Sequence, residues 1–272
     1  MTGRIRALAA FYVVMMKNSA VVCFHYRARA IILLLVTAME AVVYLALWTT
    51  VAATSPGGTV GTWTASGLAA YFIVLTLVRQ MTTTSSPQGI EERVHSGQFS
   101  VALLRPMHPV HGDIAEFAGW KVVLAGLWLP VAVVLTLLFR PTFDFGWLEV
   151  VVFLVAVTTA FLIRTLYLWL LGMTAFWLTR ASAAFDLFMS VELLLSGRLM
   201  PLSLLPDWAS TVSSALPFRW VFGFPIEVLV AGLRPAELVH GLVMQAVWAV
   251  LCGAGVLVLW RSAIRRYTAV GQ

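Results

Sequence analysis

The sequence predicts an all-α polytopic membrane protein with six transmembrane helices. Apolar residues make up 61% of its 272 residues and charged residues only 11%, against about 25% charged residues in a typical soluble domain. A mean hydropathy of +0.92 leaves too little polar surface to coat a water-soluble globule. The apolar residues also fall into runs of about 20 or more, the length that an α-helix needs to cross a bilayer. An ordinary soluble enzyme, a secreted disulfide scaffold and a disordered protein are therefore excluded.

Residues 1–29 are predicted to form an amphipathic helix that lies in the membrane interface. Arg4 and Arg6 stand at the start of this segment, and Arg27 and Arg29 stand at its end. Between these cations, aromatic and methionine side chains can sink to the depth of the lipid headgroups while the charges stay in water.

Six apolar runs after this segment are predicted to cross the membrane. Basic residues or turn-forming Pro and Gly mark the ends of most runs. The fourth run is longer than a bilayer requires, so it must tilt, break or project beyond the membrane. The predicted spans are residues 30–53, 62–79, 117–139, 146–179, 183–200 and 238–260.

Residues 201–235 are apolar, but five prolines divide them, so no single helix can cross the membrane here. Two short helical pieces, near residues 207–216 and 218–232, fit between the prolines. Irregular backbone at membrane depth is tolerated only where it is buried in protein or lines a cavity. We therefore expect a broken, re-entrant outer hairpin between spans five and six.

The basic residues predict the orientation. With both termini in the cytoplasm, the inside segments hold 13 of the 18 Lys and Arg residues and the outside segments hold four, with Arg164 inside the membrane. The basic residues stand singly at the ends of apolar runs and form no patch, so nucleic acid is not a predicted partner. Both termini are therefore predicted to be cytoplasmic.

Three ionisable residues lie near the middle of predicted spans: Glu40, Arg164 and Glu192. Each costs roughly 2.5–3.5 kcal/mol to insert, so we expect them to face the protein interior and to pair in one network. Such a network is either a gate on a translocation path or a salt bridge that locks helices together.

The sequence predicts no catalytic residues, no metal site and no cofactor bound by this chain. A phosphate-binding Walker A loop ends in Gly-Lys-Ser/Thr, but Lys17 and Lys121 follow Met and Trp. His108, His111 and Asp113 do not have the spacing of a recognised metal-ligand set, and a solvated loop is the simpler interpretation.

Residues 86–106 combine a short charged helix, which ends at Gly97, with an apolar strip that follows. Such an element between spans is suited to docking a soluble partner, although a plain interfacial linker stays open. The run Ile90-x6-Gly97-x5-Leu103-Leu104-Arg105-Pro106 resembles the intracellular loop of permease subunits of type-2 ATP-binding-cassette (ABC) exporters. It is most similar to the viologen-exporter-like branch of these permeases.

A second pair of motifs resembles the segment before the last span in the same branch. These motifs are Leu216-Pro217-Phe218-Arg219 and Phe224-Pro225-Ile226-Glu227-Val228-Leu229. The order and spacing of the two sets extend the resemblance over nearly the whole chain. In the outer hairpin, it assigns functional positions to Pro217, Phe218, Arg219, Pro225 and Glu227.

The resemblance implies a half-size permease in a bacterial plasma membrane. Such a subunit pairs with a second permease, identical or related, and a heterodimer is typical of this branch. Two separate ATPase subunits, which carry ATP and Mg²⁺, would dock beneath. The coupling region would include Glu91, Glu92, Arg93, Gly97, Arg105 and Pro106.

A hydrophobic or cationic small molecule, a lipid-linked glycan and a peptide all stay open as the cargo. The abundant Trp and Phe, with few fixed charges, favour a hydrophobic or amphipathic one. An integral-membrane enzyme that acts on lipid or isoprenoid is the alternative, and an ATP-independent channel or scaffold is a third. An enzyme would need a cluster of catalytic carboxylates or histidines at one interface, which the sequence does not offer.

Overall fold

The computed structural model describes residues 2–104, 107–143, 145–178 and 182–267, and the predicted coupling residues Arg105 and Pro106 lie outside these ranges. Within these ranges the chain forms twelve α-helices and one short antiparallel hairpin. The helices are α1 (Thr2–His25), α2 (Arg27–Thr54), α3 (Ala65–Thr82), α4 (Pro87–His95), α5 (Phe99–Leu103), α6 (Val110–Phe139), α7 (Trp147–Met173), α8 (Ser182–Leu195), α9 (Asp207–Ala215), α10 (Pro217–Val221), α11 (Gly223–Val230) and α12 (Pro235–Ala263). The strands are β1 (Thr59–Val60) and β2 (Trp63–Thr64).

Among the described residues, six helical stretches are long and apolar enough to cross a membrane, which confirms the predicted fold class. Five of them correspond to the predicted spans one, two, three, four and six. The remaining stretch is in α1, whereas the predicted fifth span contains only α8, which has 14 residues and is about 21 Å long. The six stretches are Arg6–His25, Leu35–Thr54, Ala65–His95, Val110–Phe139, Trp147–Phe176 and Pro235–Ala263.

The short length of α8 has a local cause. The helix ends at Leu195, and Gly197 then adopts a left-handed backbone conformation with φ of +88°. Glycine reaches this conformation without steric cost, so the chain turns here and does not continue the helix. The helical part of residues 183–200 is therefore shorter than a bilayer is thick, because about 30 Å must be crossed.

The predicted N-terminal helix is present, but its apolar side chains do not lie on one face. Cys23 is buried against α6, while Val14 and Val21 on the same helix are 65% and 66% exposed. Gly119 of α6 lets the backbone of α1 come close at Met16. The position of α1 in the membrane interface stays a prediction.

Gly119→Ala is expected to push α1 away from α6 and to lower the stability of the protein by about 1–3 kcal/mol. A Cβ at this position would lie 2.4 Å from the carbonyl oxygen of Met16, and backbone atoms cannot rotate aside. Gly126→Ala is the matched control, because a Cβ on this glycine of the same helix meets nothing within 4 Å. Thermal unfolding in detergent compares the two variants, and equal midpoints would contradict the close packing of α1.

The fourth predicted span forms one 27-residue helix, α7, about 40 Å long, so the prediction that it tilts or projects beyond the membrane stays open. The α-helix of α7 ends at Met173 and continues as a 3₁₀ turn at Thr174–Phe176. Near this end, Gly172 leaves room for the fully buried side chain of Ile90 in α4.

Within the proline-divided segment, α10 and α11 are buried in protein, as predicted for irregular backbone at membrane depth, whereas α9 is largely exposed, with Trp208 71% exposed. The first helical piece of the segment is α9, and its second piece is two helices, α10 and α11, separated at Phe222. The side-chain amide of Gln245 donates to the carbonyl oxygens of Ala156 and Trp220, at 3.0 and 2.8 Å. These bonds satisfy backbone groups that water does not reach. Residues 207–230, which contain α9, α10 and α11, are called the hairpin segment below.

The outward faces of the long helices are apolar. Met39 of α2, Leu137 of α6 and Val250 of α12 are each at least 70% exposed. A soluble protein does not leave so many large apolar side chains in contact with water. These faces fit a lipid environment or another membrane subunit, while α3, α7, α10 and α11 form the interior.

Candidate functional site

A break between α3 and α4 creates the polar centre of the molecule. The chain leaves the helix after Thr82, and Ser86 caps α4 by accepting a hydrogen bond from the backbone N–H of Gly89 at 3.0 Å. Pro87 occupies the first turn, where its missing N–H costs nothing. The last carbonyls of α3 are thus left without helical donors, and they attract cations.

Arg164 and Glu192 form a buried ion pair beside this break, as predicted. The guanidinium donates through Nε and Nη2 to the two carboxylate oxygens, at 3.0 and 3.2 Å. Its third nitrogen donates to the carbonyl oxygen of Thr82 at 3.2 Å. The Glu192 side chain is 0% exposed and that of Arg164 is 12% exposed, so the pair joins α3, α7 and α8 with little contact with solvent.

Two further polar groups complete this network. Arg198 donates to Glu192 Oε2 at 3.5 Å, and the hydroxyl of Tyr167 donates to Glu192 Oε1. The guanidinium carbons of Arg164 and Arg198 lie 5.2 and 5.1 Å from the ring centroid of Phe222 in the hairpin segment. One carboxylate therefore faces two guanidinium groups, and the aromatic ring supplies part of the remaining attraction. We call Arg164, Tyr167, Glu192, Arg198 and Phe222 the buried network.

Glu40 does not belong to this network, so the prediction of a three-residue cluster with Arg164 and Glu192 is wrong in this respect. Glu40 forms an ion pair with Arg79, which joins α2 to α3. Arg79 ends the predicted second span, but α3 continues to Thr82 and so keeps Arg79 inside the helix. The two side chains are 36% and 23% exposed, so this pair is less buried than the Arg164–Glu192 pair.

The structure brings the predicted hairpin residues together. Pro217 begins α10 and is buried, as is Pro225 in the first turn of α11. Arg219 donates to Ser214 Oγ at 2.8 Å and to Glu227 Oε2 at 3.3 Å. The bonds of Arg219 to Ser214 and Glu227 tie α10 to α9 and α11.

The hairpin segment contacts the buried network through aromatic rings. The ring of Phe218 meets the rings of Tyr167 and Phe188 edge-on, with centroids 6.0 and 5.3 Å apart. A cavity of about 510 Å³ is lined by Trp63 and, in the hairpin segment, by Ser210, Arg219 and Glu227. The hairpin segment therefore contacts both the buried network and an open volume.

The predicted coupling helix α4 has an inward and an outward face. Ile90 and Val94 are buried, whereas Glu92 is exposed. The carboxylate of Glu91 lies 3.8 Å from the imidazole of His95, one turn along the helix. Gly97 ends the helix with a φ of +74°, and its carbonyl oxygen accepts a hydrogen bond from the hydroxyl of Tyr267 at 2.9 Å.

Arg93 points inward, in contrast to Glu92. Its guanidinium donates to both carboxylate oxygens of Asp113, at 2.9 and 2.7 Å. Asp113 is 6% exposed and also accepts from Ser85 Oγ at 3.0 Å and from Trp169 Nε1 at 2.9 Å. This carboxylate therefore joins α4, the α3–α4 break, α6 and α7, and it holds Arg93 against the bundle.

The exposed side of this region is partly apolar. On α5 and directly after it, Val101 is 64% exposed and Leu104 is 86% exposed. Glu92, Ser96 and Gln98, which precede α5 in the chain, are exposed as well. We call these five exposed residues the α4–α5 surface.

His108, His111 and Asp113, the three residues that could imitate a metal site, have separate partners. Nδ1 of His111 lies 2.8 Å from the hydroxyl of Tyr12, and Nδ1 of His108 accepts from the backbone N–H of Val110 at 3.2 Å. Burial, with a smaller contribution from His111, lowers the pKa of His108 to about 4. In the part of the chain that the structure describes, no group of three or more His, Cys, Asp or Glu side chains could hold a metal ion.

Comparison with protein families gives one finding. A family model described as ABC-2 family transporter protein matches residues 34–271. The matched region begins within α2 and includes the buried network, the α4–α5 surface and the hairpin segment, while α1 precedes it. A comparison with curated proteins gave no match.

Proposed function

This chain belongs to the ABC-2 family of transporter proteins, and we propose that it is the permease subunit of an ATP-driven exporter. The family match over residues 34–271, together with six helices suited to crossing a membrane, carries this proposal. The chain is thus a transport permease and a non-enzymatic component of its transporter. We place it in a bacterial plasma membrane, in the viologen-exporter-like branch, with both termini cytoplasmic.

We propose that ABC ATPase subunits, which bind ATP and Mg²⁺, dock on the α4–α5 surface. Membership of the family supports an ABC partner, and the exposed Glu92 and Leu104 offer one charged and one apolar contact. Arg93 and Gly97 would act in this coupling by holding α4 in place, because their polar groups bond to the bundle. Arg105 and Pro106 keep their proposed role by sequence alone.

The arrangement supports a specific route for coupling. α7 carries Trp169, which bonds Asp113 near α4, and also Arg164 and Tyr167, which belong to the buried network. Trp169 and Arg164 lie only about one and a half turns apart on this one continuous helix, and a rigid helix can carry coupling between two sites. A movement of α4 would therefore reach the hairpin segment through α7, the carboxylate of Glu192 and the ring of Phe222.

We also propose that two permease subunits, identical or related, form the translocation path between them, as a heterodimer in this branch. The apolar outward faces support membrane contacts with lipid and with a second subunit. A hydrophobic or amphipathic cargo fits such a path better than a highly charged one.

The combined variant Glu92→Lys/Leu104→Asp is expected to lose most of its ATPase subunit when a tagged permease is purified from its native membrane. The change reverses a charge and places a carboxylate on an apolar contact, and at least tenfold less ATPase should co-purify. Asp207→Lys is the matched control for charge, because Asp207 is exposed in α9 and α9 is remote from α4 in the chain.

Unchanged recovery of the ATPase with the combined variant would overturn the assignment of the docking surface. Repeated isolation of the wild-type permease without an ATPase, or turnover of a lipid by the lone chain, would overturn the proposed function itself.

A further inference from the structure

Lys121 is a cation without a carboxylate partner among the described residues, and it lies four residues after the start of the predicted third span, 117–139. It lies eleven residues after the start of α6, a helix that is long and apolar enough to span the membrane. Its ammonium donates to the carbonyl oxygen of Thr83 and lies 4.0 Å from the ring centroid of Phe161. Among the described residues, no carboxylate lies within 4.0 Å of it, whereas Arg164 beside it bonds Glu192. A buried charge at membrane depth is normally paired.

The side chain of Lys121 lines a cavity of about 450 Å³ between α2, α3 and α6. This volume lies in the range of sites that bind small molecules, about 300–1,000 Å³. The walls are mostly apolar and include Ile32 and Val36 of α2 and Leu124 of α6. Such a cavity offers one cationic group with an apolar surface beside it.

The contacts of Lys121 leave binding capacity on this cation. An ammonium carries three donors, and the carbonyl oxygen of Thr83 takes one of them. The structure gives the other two donors no acceptor among the described residues. Glu116 also lines the cavity, but it is an exposed residue and its carboxylate lies beyond ion-pair distance of the ammonium.

From this geometry we propose that the cavity binds a membrane phospholipid, with its phosphate on Lys121 and an acyl chain along α2. A phosphate oxygen accepts charge-assisted hydrogen bonds from an ammonium, and it would neutralise the unpaired cation. The apolar walls select a molecule that carries a hydrocarbon chain next to its phosphate. A free phosphate meets the first requirement only, and a neutral diacylglycerol meets the second only. The site concerns binding, so it does not depend on the proposed coupling to an ATPase.

The first experiment separates these ligands. Purified full-length protein is titrated with dioleoylphosphatidylglycerol, with dioleoylglycerol and with glycerol 3-phosphate, and the first bound molecule is measured by native mass spectrometry. We expect the phospholipid to bind about tenfold more tightly than either of the others. Equal affinity for the phospholipid and dioleoylglycerol would remove the role of the phosphate. Equal affinity for glycerol 3-phosphate would remove the role of the chain.

Variants then locate the site. Lys121→Gln is expected to bind the phospholipid as weakly as dioleoylglycerol, whereas Lys121→Arg keeps the charge and the preference. Lys17→Gln changes the other lysine of the chain, which is exposed on α1, and should have no effect. An unchanged preference in Lys121→Gln would overturn the proposal.

A second pair of variants does not touch the charge. Val36→Trp is expected to fill the cavity from α2 and to weaken phospholipid binding, because Val36 lines it. Val43→Trp adds the same side chain to the same helix at a position that is 64% exposed and does not line the cavity. If both tryptophan variants bind the phospholipid like the wild type, the acyl chain does not lie where we propose.

Discussion

Glu192→Gln is expected to lower the free energy of unfolding by on the order of 3–5 kcal/mol, because it leaves two buried guanidinium groups without their carboxylate. Glutamine has nearly the same shape, so the loss of charge and not of volume determines the effect. Arg164 and Arg198 both bond this carboxylate, and the Glu192 side chain is 0% exposed. Thermal unfolding of the purified protein in detergent measures the change.

Two companion variants test the pairing itself. Arg164→Ala removes the other partner and should also lower stability. With Arg164→Gln as the second single variant, the double variant Arg164→Gln/Glu192→Gln should cost less than the two single changes added together, because Glu192→Gln leaves both Arg164 and Arg198 unpaired and the double change leaves only Arg198 so. Additive effects would contradict direct pairing.

Glu237→Gln provides the matched control. This glutamate also pairs with an arginine, Arg234, but the two side chains are 43% and 81% exposed. Exposed ion pairs contribute about 0–1 kcal/mol, and glutamine can still accept the bond that caps α12. A midpoint as low as that of Glu192→Gln would show that the assay does not distinguish buried from exposed pairs.

Glu192→Gln also decides whether the buried network is a gate on the translocation path or a salt bridge that locks the helices together. Transport is measured at a temperature where both Glu192→Gln and the wild type are fully folded. A lock predicts wild-type transport under these conditions, whereas a gate predicts its loss. The double variant separates the outcomes further, because it restores charge balance around Glu192 without restoring the ion pair.

The sequence predicts the features that follow from its composition, from its prolines and from the need of a charge at membrane depth for a partner. Long apolar runs predict membrane helices, and five prolines predict that residues 201–235 break into short pieces. Arg164 and Glu192 could be paired from the sequence because a charge at membrane depth needs a partner. Residue counting places both near the middle of their predicted spans.

Other partners could not be predicted, because depth along a helix says nothing of the direction in which a side chain points. Glu40 lies at a suitable depth, yet it faces Arg79 and not Arg164. Arg198 follows the end of α8 and resembles an ordinary loop cation in the sequence, but the turn at Gly197 returns it to Glu192. The sequence predicts a solvated loop at Asp113, although an acidic residue in the first turn of a long apolar helix is a signal for its place in α6.

The other large effect is expected at this aspartate. Asp113→Asn should release α4 from the bundle and cost about 1.5–3 kcal/mol, the range for hydrogen bonds to charged groups. The carboxylate receives two bonds from Arg93 and one each from Ser85 and Trp169. An asparagine has one acceptor oxygen and no charge, so it cannot hold the guanidinium through both bonds.

Hydrogen exchange of the backbone amides of α4 measures this release locally. In Asp113→Asn these amides should exchange faster than in the wild type, while those of α12 keep their rates, because the change is confined to the contacts of α4. Arg93→Gln should give the same result, and the double variant should be no worse than either single change. Glu92→Gln is the control on the same helix, since Glu92 is exposed and should not alter exchange.

Transport links this anchor to the proposed mechanism. If α4 transmits the movement of an ATPase through Asp113 and Trp169 to α7, Asp113→Asn should retain the ATPase on the α4–α5 surface but lose most of its transport. Loss of the ATPase together with transport would mean that the anchor only shapes the docking surface. Faster exchange in α4 with wild-type transport would show instead that the force reaches the buried network by a route that does not include this carboxylate.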